Sequence, residues 1–313
     1  MVTSPPQPPL PGGLPGSFAA ALAAGPLVLD GGLSNQLVAA GYVLADELWS
    51  ARLLMDRPQA LVDAHLGYFR AGAQVAITAS YQASFEGFAR RGVDRAGAAR
   101  LLASSVELAR TAAASAGPGR RWVAASVGPY GAVLADGSEY RGRYGLSVAQ
   151  LERWHRPRVE VLAAAGPDVL ALETVPDVDE AEALLRVVQG LGVPVWLSFS
   201  AAGGLTRAGQ PLAEAFAMAA EVPEVVAVGV NCCPPPDADL AVPLAAQVSG
   251  KPVVVYPNSG ERWDAGARGW TGGATFRGDR VALWVGDGAR LVGGCCRVGE
   301  REIGELARVV RGR

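Results

Sequence analysis

The chain carries four cysteines in 313 residues, and they fall as two adjacent pairs: Cys232-Cys233 in "VGVNCCPPP" and Cys295-Cys296 in "LVGGCCRVG". Thiolates are metal ligands and nucleophiles. Neighbouring residues of an extended strand point to opposite faces, so both members of a pair reach one target only where the chain turns. Gly293 and Gly294 make such a turn, or a close backbone approach, inexpensive. Two small buried hydrophobes in a glycine-rich loop would give the same local sequence. What separates the two readings is whatever else the chain aims at the same place.

Two acidic residues stand out in the same way. Asp30 ends the apolar run "PLVLD" and Glu173 ends "DVLALE". A buried carboxylate is costly unless paired, so a cationic ligand would give both a partner. Their plainer roles are a turn before Gly31-Gly32 and a loop cap. Further polar residues end apolar runs: Thr78 after "QVAI" and Asn231 after "VVAVGV".

The elements that would position these residues alternate along the chain. Apolar runs suited to strands end near Asp30, Thr78, Val127, Glu173, Ser200, Asn231, Asn258 and Gly294. Continuous apolar runs fit strands covered on both faces, as in a parallel sheet. Amphipathic helical patterns lie between them: 58–70, 95–116, 147–165, 179–190, 212–220, 238–248 and 300–310, with Ser147 and Gln150 at capping-box spacing. Eight strands alternating with helices predict a single (β/α)8 barrel. An open doubly wound sheet is the alternative, but "LDGGLSNQL" lacks the glycine spacing of a dinucleotide fold. In a barrel, chemistry sits on the loops after the strands' carboxyl ends, where all of the residues above fall. Strands six and eight are near neighbours around the ring, so Cys232 can meet Cys295 and Cys296.

Three thiolates make an incomplete tetrahedron. A structural zinc site is closed by four protein ligands, whereas a catalytic one keeps a position open. Cys233 could close it only through a second tight turn, because it follows Cys232 directly and leads into "PPPD". An open position beside thiolates suits a soft donor, which points to a thiol substrate held as its thiolate.

Seven segments in this order, "LDGGLSNQL", "GAQVAITASYQAS", "ASVGPYGA", "LALETVPD", "VGVNC", "VVYPNSGE" and "LVGGCC", resemble the homocysteine S-methyltransferase family from about residue 26 to the C-terminus. The likeness is strongest to the branch using S-methylmethionine or S-adenosylmethionine as methyl donor. The resemblance implies a Zn2+-bearing (β/α)8 barrel that methylates homocysteine to methionine. It implies Cys232, Cys295 and Cys296 as metal ligands, and Asp30, Gly31, Thr78, Glu173 and Asn231 as substrate-binding residues. No catalytic side chain is implied beyond the metal-held substrate thiolate. Cys233 and the proline-rich start lie outside the family pattern. Methyl transfer to a related thiol or selenol such as selenocysteine, and a non-catalytic zinc or thiol-binding protein, are the alternatives; folate and cobalamin domains have no room in this length.

Composition bounds the rest. Half of the residues are apolar and 19% are charged, as in a well-cored globular chain. The formal charge of −2 gives no basic footprint for nucleic acid. Residues 1–17, "MVTSPPQPPLPGGLPGS", read as an extended, poorly ordered tail before a barrel domain over 18–313. No signal peptide is expected, because no basic start precedes an apolar core, and no membrane span, because the apolar stretch Phe18 to Leu29 is short and broken at Gly25-Pro26. A cytoplasmic location follows, and there paired cysteines suggest metal or catalysis before disulfides. Small-molecule substrates are the expected partners, without nucleic acid or membrane; a monomer is plausible and the oligomeric state is open.

Other residues read as bland. His65 and His155 sit mid-helix away from the mouth, as packing or surface groups. Lys251 precedes the seventh strand, at the wrong end for Schiff-base chemistry. The glycine-rich loop "GPYGAVLADGSEYRGRYG" is long enough to fold over substrates as a lid. Tyr130 and Trp263 are candidates for cation–π contact with a sulfonium, against loop packing as the plainer role.

Overall fold

A computed structural model describes residues 16–44, 48–264 and 269–312. Eight strands form one parallel sheet: β1 (Leu27–Val28), β2 (Val75–Ile77), β3 (Trp122–Val127), β4 (Val169–Val175), β5 (Val195–Phe199), β6 (Val225–Asn231), β7 (Val253–Tyr256) and β8 (Ala289–Val292). Each pairs with its sequence neighbour from β2 to β8, and β8 pairs with β1 in the register Leu27–Leu291, Val28–Val292. A parallel bridge between Leu29 and Val75 joins β1 to β2 and closes the ring. The architecture is therefore the (β/α)8 barrel expected from the alternation. All eight strands lie where the apolar runs fall; β4 continues to Val175, two residues past Glu173.

The runs are continuously apolar because each strand is covered on both sides. Alternate residues Trp122 and Ala124, Val169 and Ala171, Trp196, Ala227, Val254 and Leu291 fill the barrel interior. Their neighbours Val123 and Ala125, Leu170 and Leu172, Leu197, Val228, Val253 and Val255 pack outward against the helices. Gly229 belongs to this inner geometry, since a Cβ there would stand 1.9 Å from the Val254 carbonyl oxygen.

The seven expected helices are present, with ends shifted by a few residues: α3 (Pro58–Ala71), α4 (Arg95–Ser115), α5 (Val148–Ala164), α6 (Val178–Val188), α7 (Leu212–Ala220), α8 (Pro235–Ser249) and α10 (Glu300–Val310). Ser147 caps α5 in a reciprocal box with Gln150. Three further α-helices of seven residues or more, three short ones (Leu53–Asp56, Phe85–Ala89 and Tyr130–Leu134) and two small hairpins add to these among the described residues: α1 (Phe18–Ala24), α2 (Leu33–Ala39), α9 (Gly278–Gly286), and the pairs Ala201–Ala202 with Leu205–Thr206 and Arg262–Asp264 with Gly269–Thr271. Short helix α1 precedes the barrel and plugs its amino-terminal end. Phe18 meets Trp122 edge-on at 5.4 Å between ring centroids, and Leu22 joins the same interior cluster. Ser17 caps this helix by accepting from the Ala20 amide, so it belongs to the folded unit although the composition groups it with the tail. Residues 1–15 of that tail lie outside the described residues. Among the described residues no helix is long and apolar enough to cross a membrane.

Candidate metal centre

Two glycine pairs bring the ends of β1 and β8 together. A Cβ on Gly293 would stand 2.5 Å from the Leu29 Cβ, and one on Gly294 would stand 2.1 Å from the Val298 side chain. On the other strand a Cβ on Gly31 would meet the Val298 carbonyl oxygen at 2.3 Å, and one on Gly32 the Cys295 carbonyl oxygen at 2.7 Å. Close approach, rather than an unusual φ, is what these four glycines supply.

Beyond Gly294 the chain turns, with the Val298 amide donating to the Cys295 carbonyl and Arg297 at φ 62°. The turn lets Cys295 and Cys296 face one target. Cys232 follows β6 directly at φ 51°, a conformation that a non-glycine residue rarely adopts, and its Sγ meets Cys295 and the Tyr140 hydroxyl. The result is a triangle of free thiols. Cys232 Sγ lies 2.8 Å from Cys295 Sγ and 3.7 Å from Cys296 Sγ, and all three sulfurs fall within 4.8 Å of one another. Among the described residues this is the one group of three or more His, Cys, Asp or Glu donors so close together. Cys233 takes the opposite direction, fully buried in the outer apolar layer between sheet and helices.

The residues after β7 fix this triangle. Asn258 donates its amide to the Cys233 carbonyl, and its Oδ1 accepts from the Cys296 amide at 3.1 Å. The Cys295 amide donates to Pro257, and the Ser259 amide to Cys296. Asn258 thus ties the two cysteine segments together.

The donor set fits a metal. Three thiolates suit a soft or borderline cation, and tetrahedral zinc with arms of about 2.3 Å has sulfur–sulfur edges of about 3.8 Å. The Cys232–Cys296 separation of 3.7 Å matches that edge, whereas Cys232 and Cys295 at 2.8 Å would have to part by about 1 Å around the ion. In the thiol form the Cys232 and Cys295 groups hydrogen-bond towards Cys296, which holds the Cys296 thiol well below its usual range. The same bonds, first that with Cys232, push Cys295 up.

Asp30 and Glu173 line the interior beneath the sulfurs, both buried. Asp30 Oδ2 accepts from the Ile77 amide at 2.8 Å, while its Oδ1 is buried with no partner. Glu173 accepts from the Ser126 hydroxyl and, at 3.0 Å, from the Tyr256 hydroxyl. Burial pushes the Glu173 carboxyl up to about 7, against the two hydroxyls that lower it. Burial likewise raises Asp30 well above the usual carboxylate range, and the Glu173 charge adds to it. A cation placed beside either carboxyl would favour its charged form against burial.

Thr78 and Asn231 spend their side chains internally. Thr78 Oγ1 accepts from the Ser126 amide at 3.0 Å and pairs with Ser80. Asn231 Oδ1 accepts from the Thr174 amide and from Ser198, and its Nδ2 donates to Thr174 Oγ1. Thr174 stands at φ 58°, so Asn231 clamps the strained residue directly after Glu173.

The glycine-rich loop does fold over the mouth, as helical turns at Tyr130–Leu134 and Ser138–Tyr140. Tyr140, not Tyr130, reaches the sulfurs, with its hydroxyl 3.4 Å from Cys232 Sγ. Tyr130 instead packs on Tyr144 and Trp154. Glu180 pins both ends of this loop, accepting from the Tyr130 amide and the Tyr144 hydroxyl, and it also holds the buried His155. The side chain of Trp263 lies outside the described residues. His65 is fully buried on α3, and Lys251 donates to the Val222 and Val225 carbonyls at the far end of the barrel. Asn258 was legible as the end of the seventh apolar run; sequence reasoning missed Ser126, Tyr256, Glu139 and Tyr140, of which only Glu139 and Tyr140 carried a signal, through their place in the long loop.

A sequence profile of the family described as homocysteine S-methyltransferase matches residues 27–310. An Escherichia coli homocysteine S-methyltransferase is 45% identical over 290 residues, spanning 90% of this chain and 94% of its own. The Bacillus subtilis homocysteine S-methyltransferase YbgG is 42% identical over 293 residues, spanning 90% and 93%. The crystal structure of the Escherichia coli homocysteine methyltransferase MmuM in its metallated form superposes with a TM-score of 0.81 at 43% identity, covering 90% of this chain and 95% of that one.

Proposed function

The chain belongs to the homocysteine S-methyltransferase family, and from that premise we propose that Cys232, Cys295 and Cys296 hold Zn2+ for methyl transfer from a sulfonium donor, S-methylmethionine or S-adenosylmethionine. The transfer itself, from a donor to the thiol of homocysteine with formation of methionine, is the reaction of the family. The observation that carries the metal reading is the triangle of three sulfurs within 4.8 Å, with Cys233 turned away. Three protein thiolates leave one position for the substrate sulfur. A zinc ion bound there supplies the charge that lets a thiol shed its proton at neutral pH.

The chain's own residues bind and orient. Asp30 and Glu173 meet the amino acid's ammonium; Glu173 is aimed by Ser126 and Tyr256, and the adjoining backbone by Asn231. Gly31 lets the end of β1 pack directly on Val298 and Tyr68 beside the site, while Thr78 sets Ser126 through its amide. Tyr140 donates its hydroxyl towards Cys232 and covers the sulfurs, limiting water. The homocysteine sulfur then forms a bond to the donor's methyl carbon as the old carbon–sulfur pair leaves with the donor's thioether. Alignment of two sulfurs about one carbon is the protein's main contribution.

The test is a donor screen on the zinc-loaded enzyme with homocysteine, reading methionine by mass spectrometry, with selenocysteine as a second acceptor. Methionine from either sulfonium supports the reading. Turnover only with a folate or corrinoid donor, or equal activity without metal, contradicts it.

A further inference from the structure

A sulfonium donor brings a permanent positive charge to the mouth, and Asp30 and Glu173 are already matched to the ammonium of homocysteine. A second cation needs a third acid. The loop over the mouth contributes one, Glu139, next to the tyrosine whose hydroxyl stands 3.4 Å from Cys232 Sγ. Its Oε2 is buried and has no hydrogen-bond partner, although an unsatisfied buried acceptor is costly and a charged one more so. Such a group persists where a ligand completes it.

Guided by this placement, and resting on the sulfonium reading above, we propose that Glu139 is the counter-ion of the donor's sulfonium and so selects cationic donors. Burial pushes its carboxyl up, and the Cys232 sulfur adds to that shift. Glu139 stands on the same short helical turn, Ser138–Tyr140, as the tyrosine that reaches Cys232 Sγ. The loop backbone holds it there: a Cβ on Gly131 would stand 2.5 Å from the Glu139 amide, so the two turns of the loop are packed without slack.

Charge balance says where the effect falls. Thiolate and sulfonium become two neutral thioethers, with the methyl carbon exchanged and the old bonding pair left on the donor's sulfur. Positive charge fades towards the transition state, so a counter-ion there binds the ground state at least as well. Glu139 therefore acts on donor affinity and does not raise kcat, and it releases the neutral thioether once the methyl group has moved.

The experiment measures binding of two cation–neutral pairs to the zinc-loaded full chain by calorimetry. The pairs are S-methylmethionine with its carbon isostere 2-amino-5-methylhexanoate, and S-adenosylmethionine with S-adenosylhomocysteine. In Glu139→Gln the cationic member that wild type binds should weaken about tenfold or more, with its neutral counterpart changed less than about twofold. Glu139→Asp, which keeps the charge, should recover part of the preference. Zinc per chain and the KM for homocysteine should hold. Equal losses for cation and neutral, or no loss for either, would overturn the proposal while leaving the sulfonium reading intact. A wild-type enzyme that binds neither sulfonium overturns both.

Discussion

Glu173 is held between two demands. Burial favours its protonated form, while the Ser126 and Tyr256 hydroxyls favour the carboxylate, and the balance lies at about 7. The ammonium of homocysteine needs the charged form. Affinity for homocysteine should therefore fall as pH drops below about 7, by up to about tenfold per unit, and level off above it. A pH series of KM for homocysteine checks this, and Glu173→Gln should flatten the profile. Stability runs the other way. A folded-state pKa above the ordinary 4.5 means the group's contribution is fully present below about 4.5 and lost as pH rises through about 7. At neutral pH, Glu173→Gln should raise the KM for homocysteine about 10- to 100-fold, since a hydrogen bond to a charged group is worth about 1.5–3 kcal/mol, with metal content unchanged. Unaltered homocysteine kinetics in the folded variant would remove Glu173 from the site. Asp30 and Glu173 were legible in the sequence because a carboxylate at the end of an apolar run is conspicuous. Ser126 and Tyr256 were not, because a serine and a tyrosine within strand-like runs carry no mark until the ring of strands brings them to Glu173.

The eight strands and seven main helices were legible because each is a run long enough to show its period. Helix α1 was not. It is seven residues, mostly alanine, with only Phe18 and Leu22 buried, too short for a pattern. Its weight in the fold is larger than its length. Phe18→Ala should lower stability by about 3–5 kcal/mol, read as a shift in the denaturation midpoint, because it opens the interior beneath Trp122 and Trp196. A loss below about 1 kcal/mol would mean the plug is dispensable. The β8–β1 junction makes a second prediction. Gly294→Ala would drive a methyl group into the buried Val298, costing about 1–3 kcal/mol, and the displaced turn carries Cys295 and Cys296. Melting temperature and bound metal should fall together. The loop over the mouth was foreseen as a lid, but which tyrosine faces the sulfurs was not, since only the helical turn at Ser138–Tyr140 sets that direction.

At the scale of the whole molecule, the core is independent of the metal. Two apolar layers, one inside the barrel and one between sheet and helices, hold every strand without help from the thiolates. Chelation should abolish turnover while far-UV circular dichroism stays native, unlike a zinc finger, which unfolds without its ion. Collapse of the spectrum on metal removal would show that the site supports the fold. The ordering of residues around the mouth was legible because a barrel places every strand's carboxyl end at one face. The facing of Cys232 and Cys233 was legible only through the lead of Cys233 into "PPPD"; the positive φ at Cys232 that sets it carries no mark in the sequence. The same division gives the most direct test of the account: metal per chain, by elemental analysis, for the four single variants Cys232→Ser, Cys233→Ser, Cys295→Ser and Cys296→Ser, with turnover alongside. The expected result is loss of metal and of methionine formation in Cys232→Ser, Cys295→Ser and Cys296→Ser, with Cys233→Ser retaining both. Loss of metal in Cys233→Ser as complete as in the others would mean a closed four-thiolate site and would contradict a substrate sulfur in the fourth position.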